Sequence, residues 1–258
     1  MNRLIFTLLL LIGSVSAYAL TIGEQADSAY MAEDYSGAIE LYTRSIELNG
    51  HSSDIHYNLG NAYYRNGKLG KAVVEYERAL RLSPANADAR TNLEFVKSRI
   101  QDRPEDDTAF FAGLHRKAVS GMSANAWAWI AFVIFLLFMG AVALYIFANS
   151  VALRKTGFFG GITLLVIFAY TLLAAHDSYT NARSHETAVV TVPSTQLSST
   201  PRASKSGNDK VVTIHEGTAV EIVDSVATPD DPVSPKWYNV KINNSTKAWL
   251  RASDVERI

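Results

Sequence analysis

Three blocks of apolar residues stand out along the chain, and the rest is patterned. The first block is the N-terminal run "MNRLIFTLLLLIGSVSAYAL". The second and third are Ala126–Phe147 and Phe158–Ala175, neither of which holds a charged residue. From Leu20 to Ile100 the apolar positions take helical spacing. After Ala175 they alternate in short runs rich in valine, isoleucine and aromatics. The pattern predicts a multidomain chain: an all-α solenoid, a two-helix transmembrane hairpin and a small C-terminal all-β domain.

The first block reads as an export signal over 1–19. Arg3 supplies the positive start, Leu4–Ile12 the apolar core, and Ala17-Tyr18-Ala19 the small-x-small cleavage site, with cleavage after Ala19. An uncleaved anchor and a buried N-terminal helix are the alternatives. At 1.5 Å per residue, 126–147 reaches roughly 33 Å and 158–175 about 27 Å, each enough to cross a bilayer core. Trp127 and Trp129 stand at one end of the first span and Tyr145 near the other, as an aromatic belt requires. A short loop, 148–157, makes the pair an antiparallel hairpin. Gly157 and Gly161 are four apart and suit close helix approach, or mark the helix start. Arg154 and Lys155 lie in the loop, but Arg116, Lys117 and Arg183 flank the far ends, so basic residues do not set orientation. The export signal does. It sends residues 20–125 out first, and two spans return the C-terminus to that same side.

Within 20–100 the sequence repeats. Ala38 and Ala72, Tyr42 and Tyr76, Tyr35 and Leu69, Ile46 and Leu80, and Gly37 and Lys71 each stand 34 residues apart. A helix-turn-helix unit of that period is the tetratricopeptide repeat (TPR) signature. The second unit carries Leu59-Gly60, Tyr63, Ala72, Tyr76, Ala79 and Pro84. Glycine inside a helix costs roughly 1 kcal/mol against alanine, so Gly60 must serve a crossing too tight for a side chain. Asn66-Gly67 makes the turn, with Gly67 left-handed, and Pro84 ends the second helix. The first unit has Gln25-Ala26 where the second has Leu59-Gly60. A third begins at Ala87 and stops after one helix near Ile100, which would cap the array at two and a half units.

TPR arrays bind extended peptides or partner helices on the concave face. The candidates there are Asp54, Tyr57, Asn58, Asn61, Tyr64 and Arg65, with Asn92 from the last helix. Asp27 and Asp88 occupy places where a carboxylate clamp wants asparagine and lysine, which argues against that specialisation. Tyr57 and Tyr64 serve equally as core packing. Residues 101–125 read as a linker. Its part "TAFFAGLHRKAVSGM" is either irregular or lies on the membrane with Phe110, Phe111, Leu114 and Ala118 on one side.

A second linker covers 176–185. From 186 to 258, five short strand candidates predict a small barrel. Gly217 at a turn, Trp237, Tyr238 and Val240 in a central strand, and Trp249-Leu250 with Asp254-Val255 at the close resemble bacterial SH3-like (SH3b) domains. Ala248 stands where such domains usually have glycine. Trp249 is the residue expected to be exposed.

Composition narrows the chemistry. Net charge is −1, so no global pull toward nucleic acid is expected, and there is no cysteine for disulfides, thiolate catalysis or zinc-thiolate sites. No nucleotide-binding, zinc-protease or serine-hydrolase motif occurs. His51 and His56 lie five apart and read as solvated. His115, His176, His185 and His215 are isolated in sequence. No enzyme, metal site or cofactor is expected.

The order of export signal, TPR array ending in "YERALRLSPANADARTNLEFVKSRIQDRPED", two spans and SH3b resembles the BatE family, the TPR proteins of Bacteroides-aerotolerance (Bat) operons. The resemblance runs over essentially the whole chain. It implies a scaffold in the inner membrane, beside von Willebrand factor A-domain (VWA) membrane proteins and a MoxR-type ATPase, in envelope stress tolerance. Three placements follow. Both soluble parts face the periplasm; or the TPR faces the cytoplasm and meets the ATPase directly; or the SH3b domain binds peptidoglycan as an envelope sensor.

Overall fold

A computed structural model describes residues 20–102, 110–184, 186–201, 212–228, 236–242 and 247–258. The expected signal at 1–19 lies outside them. Five helices open the chain: α1 (Ile22–Met31), α2 (Tyr35–Asn49), α3 (Ser53–Arg65), α4 (Leu69–Leu82) and α5 (Ala87–Lys97). Four of the five starts have a side-chain cap. Thr21 and Glu24 form a reciprocal capping box on α1, while Asp34, Ser52 and Asn86 accept amides of the first turns of α2, α3 and α5. The helices pair as α1 with α2 and α3 with α4, and α5 covers α4.

The packing explains Gly60. A Cβ there would lie 2.8 Å from the ring of Tyr76, which is itself buried with Ala72 and Ala79. One repeat earlier the equivalent Ala26 is fully buried against Ala38 and Tyr42. Gly67 takes φ 76° at the α3–α4 turn, where its amide donates to the Tyr64 carbonyl and Lys68 donates back to Tyr63.

Residues 110–120, expected as linker, form helix α6 (Phe110–Ser120). Then come two helices long and apolar enough to cross a membrane, α7 (Ala124–Phe147) and α8 (Val151–Arg183). Large side chains such as Phe132, Leu136, Val166 and Leu173 point outward from them. The expected loop 148–157 shrinks to Ala148–Ser150, and the expected linker 176–185 is helical as far as Arg183. The reason is that the apolar stretch ends where polarity changes, whereas the helix ends only where the backbone stops bonding. Neither "VALRKT" nor "HDSYTNAR" contains a breaker. Gly157 is where α7 and α8 approach: a Cβ on it would meet the Ala141 carbonyl and the Tyr145 amide at 2.7 Å.

The C-terminal region is all-β: β1 (Thr187–Val190), β2 (Ser194–Leu197), β3 (Val212–His215), β4 (Ala219–Ala227), β5 (Lys236–Lys241), β6 (Lys247–Arg251) and β7 (Val255–Arg257). Two of the expected runs each split. "ETAVVTVPS" yields β1 and the start of β2, and "KAWLRASDVERI" yields β6, a turn of 3-10 helix and β7. All pairings are antiparallel, in a five-stranded sheet ordered β6-β5-β4-β1-β7 and a two-stranded sheet β2-β3. A Ser198–Trp249 bridge joins the two sheets. Ala188, Val190, Val220, Val240 and Leu250 form the core between them.

The β region does not stand apart from the helices. Val189 and Ile258 belong to the same apolar cluster as Val73, Val74, Tyr76 and Val96. The main chain of β1 crosses α4 so closely that a Cβ on Gly70 would lie within van der Waals overlap of the Val190 carbonyl. Alternation puts Val189 on the opposite side of β1 from Ala188 and Val190, so one strand feeds two cores.

Candidate protein-binding face

Three helices that are first in their repeats, α1, α3 and α5, share one face. Asn58 Nδ2 of α3 donates to Asp27 Oδ1 of α1 at 3.3 Å, and Asn92 Nδ2 of α5 donates to Asn61 Oδ1 of α3 at 2.8 Å. Arg99, just past α5, donates to the Tyr64 hydroxyl at 2.7 Å. The partners advance together along the chain, which means the three helices run parallel. From behind, Tyr42 donates to Asp27 Oδ1 at 2.5 Å and Tyr76 to Asn61 Oδ1 at 2.7 Å. Burial, then the Asp27 carboxylate, push the Tyr42 hydroxyl far above its ordinary range, and burial does the same to Tyr76. Both stay neutral donors at any physiological pH.

The structure brings all seven expected face residues onto α3 and α5, but their situations differ. Asn61 and Asn92 are engaged with each other and with Tyr76. Tyr57 and Tyr64 are half-buried against the core cluster, Tyr57 beside the Tyr76 ring and Tyr64 edge-on to Phe95. Asp54 and Arg65 are exposed. Asp54, Tyr57, Asn58, Asn86 and Asp88 line an open cleft of about 580 Å³ at the N-terminal edge of the face. The other edge is cationic and aromatic: Arg65 lies over the Tyr35 ring at 4.8 Å and Arg99 over Phe95 at 4.3 Å. Carboxylates at helix starts and cations at helix ends match the helix dipoles, so the charge split also favours the helices.

The opposite side of α4 is covered by the β region. Glu216 accepts from the Gly70 amide at 2.8 Å, and Arg81 donates to the Ile258 carbonyl at 2.6 Å. Arg78 joins Glu75 at 2.7 Å to Glu256 at 2.8 Å. Glu75 also holds His56 at 2.5 Å, and His51 stacks on His56 with its ring nitrogen 2.9 Å away. His56 is only 2% exposed, which corrects its reading as solvated. The helical register places it inward, opposite a glutamate that only the α3–α4 pairing brings near. His215 is not isolated either. Its amide and ring both meet Asp102, which also accepts from Thr218 at 3.0 Å. Partial burial works to raise the Asp102 carboxyl, but those bonds outweigh it and hold the group below its ordinary value.

Of the three aromatics expected to matter in the β region, Trp237 and Tyr238 are buried, and Trp249 is half-buried at the sheet junction. Sequence reasoning missed Gly70, Asp102 and Glu216, whose partners lie more than a hundred residues away. Among the described residues, no group of three histidine, aspartate or glutamate side chains is placed to hold a metal ion.

A tetratricopeptide-repeat family model matches residues 24–87. That segment covers nearly all of α1 to α4, the two helix pairs that supply α1 and α3 of the shared face, and ends where α5 begins. The N-terminal region is thus TPR-like, a repeat class that generally serves protein–protein interaction and carries no catalysis of its own.

Proposed function

We propose that this protein is a non-catalytic, membrane-anchored scaffold that captures protein partners on the α1–α3–α5 face. The observation that carries the reading is the asymmetry of the repeat array. Its α4 side is covered by the β region, while α3, the α4–α5 turn and the start of α5 leave an open cleft with Asp54 and Asp88 on its wall, and the cations Arg65 and Arg99 stand at the other end of the same face. Asp54, Tyr57, Asn58, Tyr64 and Arg65 make the contacts, and Asn61 and Asn92 brace them. The hairpin α7–α8 spans the inner membrane, and an even number of spans puts both soluble parts on one side, as their shared core requires. That side is the periplasm, on the export signal at 1–19.

The β region adopts an SH3-like fold in this reading, supported by its short antiparallel strands and buried Trp237 and Tyr238. The domain order supports a Bat-type assembly, with VWA-domain membrane proteins and a MoxR-type ATPase as partners in envelope stress tolerance.

A photo-crosslinking residue placed at Asp54 or Arg65 in cells should trap a VWA-domain membrane protein, and the same residue at exposed Glu40 on α2 should not. Equal trapping from all three positions, or from Glu40 alone, would refute the face. Reporter fusions after Ile100 and Ile258 should report the periplasm and one after Arg154 the cytoplasm; the reverse would overturn the placement.

A further inference from the structure

Helix α6 stands in the chain where the third repeat would have its second helix. Continuing the 34-residue interval, Tyr42 and Tyr76 lead to Phe110, Ser45 and Ala79 to Gly113, and Ile46 and Leu80 to Leu114. Yet α6 packs on the membrane-type helices. Val119 is buried with Trp127 of α7 and Ala174 of α8, and Ser178 Oγ donates to the Met122 carbonyl just past the helix. We propose that α6 is an interfacial helix whose Leu114 side is covered by the lipid of the bilayer. The proposal rests on the reading of α7–α8 as a membrane hairpin.

The sequence of α5 explains why α6 packs elsewhere. The crossing position of the repeat, Ala26 in α1 and Gly60 in α3, is Glu94 in α5, and Tyr63 gives way to Lys97. A crossing with no room for a Cβ against Tyr76 has none for a glutamate one repeat later. Glu94 and Lys97 line an open cavity instead. Leu114 therefore loses the core that Ile46 and Leu80 keep, and is 57% exposed.

Depth is set by α8, whose apolar stretch ends at Ala175. At 1.5 Å per residue, Tyr170 lies roughly 8 Å below that end and Asp177 about 3 Å above it. His115 of α6 touches both. Its Nε2 is 2.9 Å from Asp177 Oδ2, its Nδ1 is 3.3 Å from the Tyr170 hydroxyl, and the two rings meet edge-on. The helix thus lies across the level where acyl chains give way to headgroups. Interfacial helices bury their apolar side at that depth.

Direction is set by the repeat array. The Ser120 carbonyl accepts from Arg90 Nη2 of α5 at 2.8 Å, and Arg116 and Ser120 line the cavity shared with α4 and α5. A helix turns roughly 100° per residue, so Leu114 points about 160° away from Arg116. The array takes one flank of α6 and the hairpin the next, which leaves Leu114 turned from the array toward the bilayer. Ala118, expected beside Leu114 on the lipid, packs on the cluster of Val119, Trp127 and Ala174 instead. The exposed Lys117 can lay its stem on apolar surface and keep its ammonium in water. The bilayer covers for the third unit what a neighbouring helix covers in the first two. Through the Arg90–Ser120 bond, α6 then holds the end of the array at the membrane surface.

The chain has no cysteine, so a single introduced one carries a fluorophore at one site. Leu114→Cys, Ala112→Cys, Leu136→Cys and Glu40→Cys, each labelled with nitrobenzoxadiazole, are placed in nanodiscs of phosphatidylcholine and phosphatidylglycerol. All four positions are exposed, so the label enters no core. Ala112 lies on α6 roughly opposite Leu114, and Leu136 points outward from the middle of α7. A lipid nitroxide near the headgroup should quench the label at Leu114 at least roughly twofold more than at Ala112. Aqueous iodide should give the reverse order, and Glu40 should respond to iodide alone. Leu114 as open to iodide as Glu40, or shielded from both quenchers, or matched by Ala112, would overturn the interfacial placement. Leu136 separates the two readings. If a nitroxide deep in the acyl chain quenches it while Leu114 fails, only the placement of α6 is defeated. If Leu136 is not quenched, the hairpin is defeated and the placement of α6 with it.

Discussion

Glu33 takes φ 62°, the left-handed conformation that Gly67 takes at 76° one repeat later. The two turns are built alike: the Glu33 amide donates to Tyr30 and Asp34 back to Ala29, as Gly67 donates to Tyr64 and Lys68 to Tyr63. A side chain at such a position costs about 1–2 kcal/mol, partly offset by the larger chain entropy glycine loses on folding. Glu33→Gly should therefore stabilise the detergent-solubilised chain by roughly 0.5–1 kcal/mol in thermal unfolding. The exposed Arg65–Glu33 contact at 3.8 Å that it removes contributes little. An unchanged or lowered midpoint would contradict this. Residue-scale legibility was uneven. Gly60 announced itself because a helical glycine needs a reason, and Tyr76 is that reason. His56 gave no such signal, since its partner Glu75 is a neighbour only after α3 and α4 pair.

At the element scale, the four-residue glycine spacing on α8 conceals a division of labour. A Cβ on Gly157 would strike the main chain of α7 at 2.7 Å, whereas on Gly161 the nearest atom is the Ala141 side chain at 3.8 Å. Backbone cannot rotate away as a side chain can. Gly157→Val should lower the stability of the hairpin by about 1–3 kcal/mol, the usual cost of overpacking, and Gly161→Ala should be nearly neutral. Unfolding of the two variants in micelles reads the difference, and equal effects would contradict the crossing. The glycine pair was visible in the sequence, but the crossing point was not. Helix type and apolar length were likewise plain, while the ends of α8 were not, because polarity and hydrogen bonding stop at different residues.

At the scale of the whole molecule, Asp102 joins the end of the repeat array to the β3–β4 turn through His215 and Thr218. Its carboxyl lies below the ordinary value when folded, so its contribution is fully present above the ordinary carboxylate range. It is lost as pH falls through the lower, folded value. Exchange protection of the His215 amide, corrected for intrinsic rate, should therefore hold from neutral pH to about 4 and collapse below it. Asp102→Asn should weaken that protection at neutral pH and flatten its acid dependence. Protection unaffected by the variant would show that the other contacts between the two regions, the shared apolar cluster and the bonds of Gly70, Arg78 and Arg81, hold the β region in place without Asp102.

The sequence by itself determined everything that repeats or alternates between near neighbours. The 34-residue period, the small residues at the crossings, two apolar helices and a strand-forming C-terminal region all follow from side-chain spacing along one element. Only the tertiary structure decided which side of the repeat array is sealed. Gly70 and Glu216 are 146 residues apart, and Arg81 and Ile258 are 177. Periodicity says which face of an element is apolar or polar, but not what comes to lie on it. That choice is made when distant surfaces are buried together, and here it left α1, α3 and α5 open.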